Sequence, residues 1–227
     1  MQRLVAATGA ALVIAAGLAI THPSHSAPPA PTASAMPTTG LEIATFAGGC
    51  FWSMEYEFDK LPGVKQTISG FMGGTTPNPT YDQVSHGNTG HAESVQVTYD
   101  PKVVSYPKLV DYYWHHVDLL DDGGQFCDRG DEYRPVIFAH TPEQKQAAEQ
   151  SKSALDASHR FSTPIAVAIN DAGPFTAAED YHQNFHNTNA AYYKRYRVGC
   201  GRDARLKERG AAAPTFYSEV RRPNDTA

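Results

Sequence analysis

Between residues 41 and 60 the chain changes its hydrophobic period across two glycines, and this switch limits the fold more than any other stretch. "LEIATFA" (Leu41 to Ala47) places Leu41, Ile43, Thr45 and Ala47 on one side, the pattern of a strand. Gly48 and Gly49 break it. "FWSMEYEFDK" then sets Phe51, Met54 and Phe58 at helical spacing, until "LPG" at Leu61 to Gly63 stops the helix. Cys50 stands at the junction, between a flexible turn and two large aromatic rings.

The elements that follow extend the pattern. "VKQTISGFMGG" predicts a strand ending in glycines, and "TTPNPTYDQV" a turn-rich loop. "AESVQVTYD" (Ala92 to Asp100) alternates Val95, Val97 and Tyr99, a strand signal. "SYPKLVDYYWHHV" reads as a helix opened by Ser105 with Pro107 in its first turn. "YRPVIFAH" is a strand, Thr141–Pro142–Glu143 opens a solvated helix, and "PIAVAI" is a further strand. The order β-α-β-β-α-β predicts an α+β fold, a split βαβ (ferredoxin-like) two-layer core. After about Phe175 periodicity weakens, so an irregular C-terminal extension is expected, with a tail over 201–227.

The start of the chain reads as a leader. Arg3 precedes an apolar run from Leu4 to Ile20, and the small residues Ser24, Ser26 and Ala27 follow, as in a secretory signal peptide over 1–27. Residues 28–40 are rich in Pro, Ala and Thr and read as a spacer. The predicted catalytic domain is then 41–200, exported and periplasmic, with no stable membrane association after cleavage. Formal net charge is −5 and there is no Lys/Arg-rich run, which argues against nucleic acid as a partner. Three cysteines, Cys50, Cys127 and Cys200, lie far apart and match no zinc spacing. An odd count in an oxidising compartment leaves one thiol free, or one pair exchanging with a third.

Cys50 is the candidate nucleophile. At a helix N-terminus the unsatisfied N–H groups and the macrodipole favour thiolate over thiol. Phe51 and Trp52 offer an apolar wall beside the sulfur. Glu93, two residues after His91 at a strand start, would gain a raised pKa against such a wall and could donate a proton. Tyr81 and Tyr133 are candidate hydrogen-bond donors on loops.

"GGCFW", "LPGV", "PNPTYDQV", "TGHAESVQVTYDP", "GDEYRPVIF" and "GPFTAAEDYHQNF" run in the order and near the spacing of peptide-methionine (S)-S-oxide reductases, the A-type methionine sulfoxide reductases, and the chain resembles them from about Ile43 to Tyr193. Such enzymes repair oxidised methionine. The resemblance implies that Cys50 attacks the sulfoxide sulfur and becomes a sulfenic acid, that Glu93 protonates the oxygen with Tyr81 and Tyr133 assisting, and that Phe51 and Trp52 hold the S-methyl group. It implies that Asp128 supports the pocket and that His182 lines it. No metal or organic cofactor is implied. The substrate would be free or protein-bound methionine sulfoxide and the reductant a thioredoxin-fold protein or other dithiol, acting on a monomer. Cys200, flanked by glycines, is expected on a mobile segment that resolves Cys50. Cys127 departs from the commoner family loop and is a second resolving or relay thiol.

Two other readings compete. A Cys–His hydrolase would activate Cys50 through His91 or His182, although the papain-type signature is absent. An exported binding module would use the aromatic pocket without turnover. His182 and His186, four residues apart, suit a metal only if helical, and no third ligand stands out.

Overall fold

The computed structural model describes residues 40–210. The leader, nearly all of the spacer and the last residues of the expected tail fall outside that range. The elements are β1 (Glu42–Ala47), α1 (Phe51–Phe58), β2 (Val64–Met72), α2 (Tyr81–Ser85), β3 (Ala92–Tyr99), α3 (Tyr106–Trp114), β4 (Gly124–Gln125), β5 (Asp128–Arg129), β6 (Val136–Ala139), α4 (Pro142–Ala157), β7 (Ala168–Asp171), β8 (Thr176–Ala177), α5 (Phe185–Thr188), α6 (Ala190–Gly199) and α7 (Arg202–Gly210). Six strands form one sheet in the order β7-β6-β1-β3-β2-β8. β1, β2, β3 and β6 pair antiparallel, and β7 adds to β6 in parallel. β4 and β5 make a separate small hairpin. The result is a mixed α/β fold around a mostly sheet core.

Both faces of β1 are buried over Ala44, Thr45, Phe46 and Ala47. Phe46 stacks on Phe58 of α1 at 4.8 Å and on Tyr113 of α3 at 5.3 Å. Fully burying such rings contributes about 1.5–3 kcal/mol each. The register places Ala47 opposite Ser94 and Phe71 opposite Glu93. Glu93 therefore lies on the central strand, level with the end of β1 where the Gly48–Gly49 turn begins.

Several expectations are corrected. The loop at 75–84 carries the five-residue α2, held by a capping box: Thr80 Oγ1 accepts from Gln83 N–H at 3.3 Å, and the Gln83 side chain accepts from Thr80 N–H at 3.0 Å. The last long strand begins at Ala168, later than "PIAVAI" predicts, because pairing with β6 decides it. The C-terminal extension is helical rather than irregular. α6 and α7 run to Gly210, tied down by Arg197 on Glu57 and by Arg205 Nε on Asp118 Oδ2 at 2.9 Å. Their weak periodicity reflects helices fixed by ion pairs more than by an apolar stripe.

Candidate active site

The turn that delivers Cys50 has little room. Gly49 has φ +82°, and a Cβ there would fall 2.7 Å from Gln125 Cβ. A Cβ on Gly48 would fall 2.6 Å from Val117 Cγ1 and 2.8 Å from Met54 Sδ. Tyr113 Oη donates to the Ala47 carbonyl at 2.7 Å and fixes the strand end just upstream. Cys50 is then the N-cap of α1, as the sequence predicts, with 7% of its surface exposed. It is the free cysteine among the described residues.

The helix terminus does not serve the sulfur alone. Phe51 N–H donates to Glu93 Oε2 at 2.9 Å, so a carboxyl takes the first of the α1 donors. The expectation of a low-pKa thiol is corrected here. Burial pushes the Cys50 thiol well above its usual value, and the Glu93 and Asp128 carboxylates push the same way. Hydrogen bonds from the Tyr196 hydroxyl and the Trp52 N–H oppose that rise without cancelling it. Burial likewise raises Glu93 to about 8, against the Phe51 hydrogen bond and with help from Asp128 and Glu132. At neutral pH both groups hold their protons, which is the cheapest way to keep two acids together in a dry site.

Tyr81, the first residue of α2, donates its N–H to Glu179 Oε1 at 3.1 Å. Burial, then the Glu93 charge, raises its hydroxyl pKa, and Tyr133 is raised in the same order by the same causes. Both phenols thus stay protonated. The apolar wall is larger than Phe51 and Trp52. Phe185 stacks on Trp52 at 3.8 Å between ring centres, and His182 lies 5.1 Å from Phe51 and 4.1 Å from Tyr81. Trp52 Nε1 donates to His182 Nδ1 at 3.2 Å, and burial lowers His182 to about 4. His182 is therefore a neutral ring at physiological pH.

Asp128, in β5, accepts from Tyr196 Oη at 2.5 Å. Beside it, Cys127 and Cys200 are joined by a disulfide, with Cα atoms 4.9 Å apart. Cys200 ends α6 and α7 follows it, which corrects the expectation of an irregular segment carrying that thiol. Cys127 faces solvent, and Cys200 is half-buried with its sulfur 3.9 Å from Asp128 Oδ2. Sequence reasoning missed Tyr196 and Phe185. Tyr196 stands four residues before Cys200, on the same helix face, and that spacing was the available signal.

The structure does not bring His91 to the sulfur as a base. His91 Nδ1 accepts from Gly74 N–H at 3.2 Å, and its Nε2 lies 2.8 Å from the Thr76 carbonyl. His182 and His186 do not share a helix. Asn184 between them is left-handed at φ 51°, and His186 Nε2 turns to Asp59 at 3.4 Å.

A buried thiol near a protonated carboxyl, with the two other cysteines joined in a disulfide beside Asp128, defines a thiol-dependent redox site. The chain belongs to the peptide methionine sulfoxide reductase family, whose match spans residues 42–213. It is 54% identical over 169 residues to the peptide methionine sulfoxide reductase MsrA of Listeria monocytogenes, covering 74% of this chain and 96% of that one. It is 50% identical over 167 residues to MsrA of Bacillus licheniformis, covering 74% and 92%. Among solved structures, methionine sulfoxide reductase A of Corynebacterium diphtheriae matches with 34% identity and a TM-score of 0.60 over 67% of this chain and 77% of that one. The reduced form of Mxr1 from Saccharomyces cerevisiae matches with 28% identity and a TM-score of 0.62 over 66% and 87%. The protein is an oxidoreductase that reduces methionine sulfoxide, and its Cys127–Cys200 disulfide is compatible with resolution of the reaction through a disulfide.

Proposed function

We propose that this enzyme reduces the S epimer of methionine sulfoxide, free or in proteins, through Cys50 and Glu93. The observation that carries the assignment is their shared helix terminus: Glu93 Oε2 takes the Phe51 N–H next to the Cys50 sulfur, with both groups protonated. Glu93 donates its proton to the sulfoxide oxygen, with the Tyr81 and Tyr133 hydroxyls as further donors, while the Cys50 sulfur bonds to the sulfoxide sulfur. The thiol proton returns to Glu93. The protonated oxygen then passes from the substrate sulfur to the Cys50 sulfur as the bond between the two sulfurs breaks, so methionine leaves and Cys50 becomes a sulfenic acid. Such an oxygen is a poor leaving group unless protonated, which is why acids rather than a histidine base surround it. Phe51, Trp52 and His182 hold the S-methyl end, and Asp128 acts through Tyr196.

Cys200 then attacks the Cys50 sulfur and water leaves, forming a Cys50–Cys200 disulfide. Cys127 displaces Cys50 from Cys200, freeing the Cys50 thiol and leaving the Cys127–Cys200 disulfide. The pairing in the structure supports this order, because it corresponds to the last state of such a relay. Cys127 is the outer sulfur, so a thioredoxin-type dithiol would attack there and no metal or organic cofactor is required. The leader sequence supports export to the periplasm, and a monomer is the working unit. The strand order β6-β1-β3-β2 within the sheet supports a split βαβ, ferredoxin-like core.

The test is turnover of dabsyl-methionine sulfoxide by the mature protein with dithiothreitol, the two epimers resolved, beside Cys50→Ser. Loss of the S epimer alone, with an inactive variant, is the expected result. Consumption of the R epimer, or activity in the variant, would overturn the assignment.

A further inference from the structure

Arg202 is an odd residue to bury. It is 1% exposed, it starts α7, and carbonyl oxygens rather than a carboxylate receive its hydrogen bonds. Its Nη2 donates to Gly48 at 3.1 Å and to His116 at 2.7 Å, and lies 3.1 Å from Met54 Sδ. Nε and Nη1 make no hydrogen bond among the described residues. A guanidinium held this way is costly, since a buried charge is normally paired. Anchoring the C-terminal helices does not require it, because Arg197 on Glu57 and Arg205 on Asp118 already do so.

Its neighbours suggest another reason. Gly48 lies two residues before Cys50, and a Cβ on Gly49 would meet Arg202 Nη1 at 3.4 Å. The guanidinium carbon sits 4.5 Å from the ring centre of Phe126, the residue before Cys127. Phe126 is itself left-handed, at φ 56°, a conformation that a bulky side chain adopts only when its surroundings impose it. Arg202 follows Cys200 by two residues. One side chain thus touches the three short segments that carry the three cysteines.

We propose that Arg202 is the positioning residue of the thiol relay: its guanidinium clamps the turn before Cys50, the Phe126–Cys127 turn and the Cys200 segment together, keeping the resolving sulfurs in reach of Cys50. The proposal rests on the relay described above. It separates the first chemical step, which needs only the Cys50 pocket, from the exchange steps, which need the three segments in register.

The stoichiometry of methionine release without reductant tests it. In the relay, one methionine leaves as Cys50 is oxidised. Exchange then restores the Cys50 thiol, and a second methionine leaves. Arg202→Met keeps the length and packs against Phe126 and Met54 but removes the bridging donors. It should release the first equivalent within about twofold of the wild-type rate, while the second slows by about tenfold or more, as expected when reacting groups drift from alignment. Cys50 sulfenic acid, trapped by dimedone, should accumulate with the first equivalent in the variant, whereas in the wild type it accumulates only with the second. Arg202→Lys, which keeps the charge but cannot present a planar fork, should fall between the two, and it carries the test if the methionine variant does not fold. A second equivalent at the wild-type rate in folded variants would overturn the proposal. So would an equal slowing of both equivalents with a lowered melting temperature, which would make Arg202 a plain structural anchor. Absence of a second equivalent from the wild type would instead remove the relay itself.

Discussion

The proposed substrate side of the site and the proposed relay side are made of different material. Around Cys50 the supports are the end of β1, the start of α1 and the start of β3, and the carboxyl and thiol are almost fully buried. Around Cys127 and Cys200 the supports are a two-residue-strand hairpin and the junction of two helices, with Cys127 open to solvent. Chemistry that must hold protons on two acids needs dehydration, and regular elements exclude water best. Chemistry that passes electrons to another molecule needs access, and loops and helix ends supply it. Tyr196 joins the two, with its hydroxyl on Asp128 and toward the Cys50 sulfur.

The sharpest way to separate the sides is Glu93→Gln. It keeps an acceptor for the Phe51 N–H but has no transferable proton, so sulfoxide reduction should fall by about 100-fold or more with circular dichroism unchanged. In the wild type, activity should hold below pH about 8 and decline above it, as Glu93 loses its proton. Because folding raises that pKa from 4.5 to about 8, the folded chain binds the proton more tightly, and stability should fall as pH rises between those values. A flat pH profile matching that of Glu93→Gln would break the comparison at its strongest point. Cys200→Ser should do the reverse. The first turnover survives, while recycling by a thioredoxin-type reductant slows by about tenfold or more, because an internal thiol is far more available than an external one. Unchanged recycling would assign resolution to Cys127.

Smaller effects test the link. Tyr196→Phe removes a hydrogen bond that favours the Cys50 thiolate, so alkylation by a small reagent should slow by about tenfold at pH 8. Alkylation at the wild-type rate would show that Tyr196 serves Asp128 alone. The least effect belongs to Thr80→Ala, which opens the capping box beneath Tyr81. It should cost about 1 kcal/mol in denaturant unfolding, with activity lowered only modestly.

The substrate side was legible in the sequence and the relay side only in part. Periodicity placed β1, α1 and β3, and those three elements carry Cys50, Phe51, Trp52 and Glu93. The protonation state of Cys50 was not legible, because the local pattern shows a helix terminus but not the burial that outweighs it or the Glu93 carboxyl that occupies it. α2 is too short for a period, and its signal was the Thr80–Gln83 pair. Arg202 could not be read at all. Its neighbours Gly48, His116 and Phe126 are remote in sequence, and a cation flanked by polar residues reads as surface until tertiary contacts bury it.

The Gly48–Gly49 turn also bears on how this protein can change. Replacing glycine by alanine is a common route to thermostability, because it narrows the unfolded ensemble. At Gly49 that route is closed twice, by the left-handed backbone and by Gln125. Asparagine, which tolerates the backbone, still meets Gln125. At Gly48 the backbone permits a side chain but Val117 and Met54 fill its space. A lineage or a designer wanting a stiffer turn must therefore alter α1, the segment after α3 and the small hairpin together, so the address of Cys50 is protected by the number of simultaneous changes needed to move it.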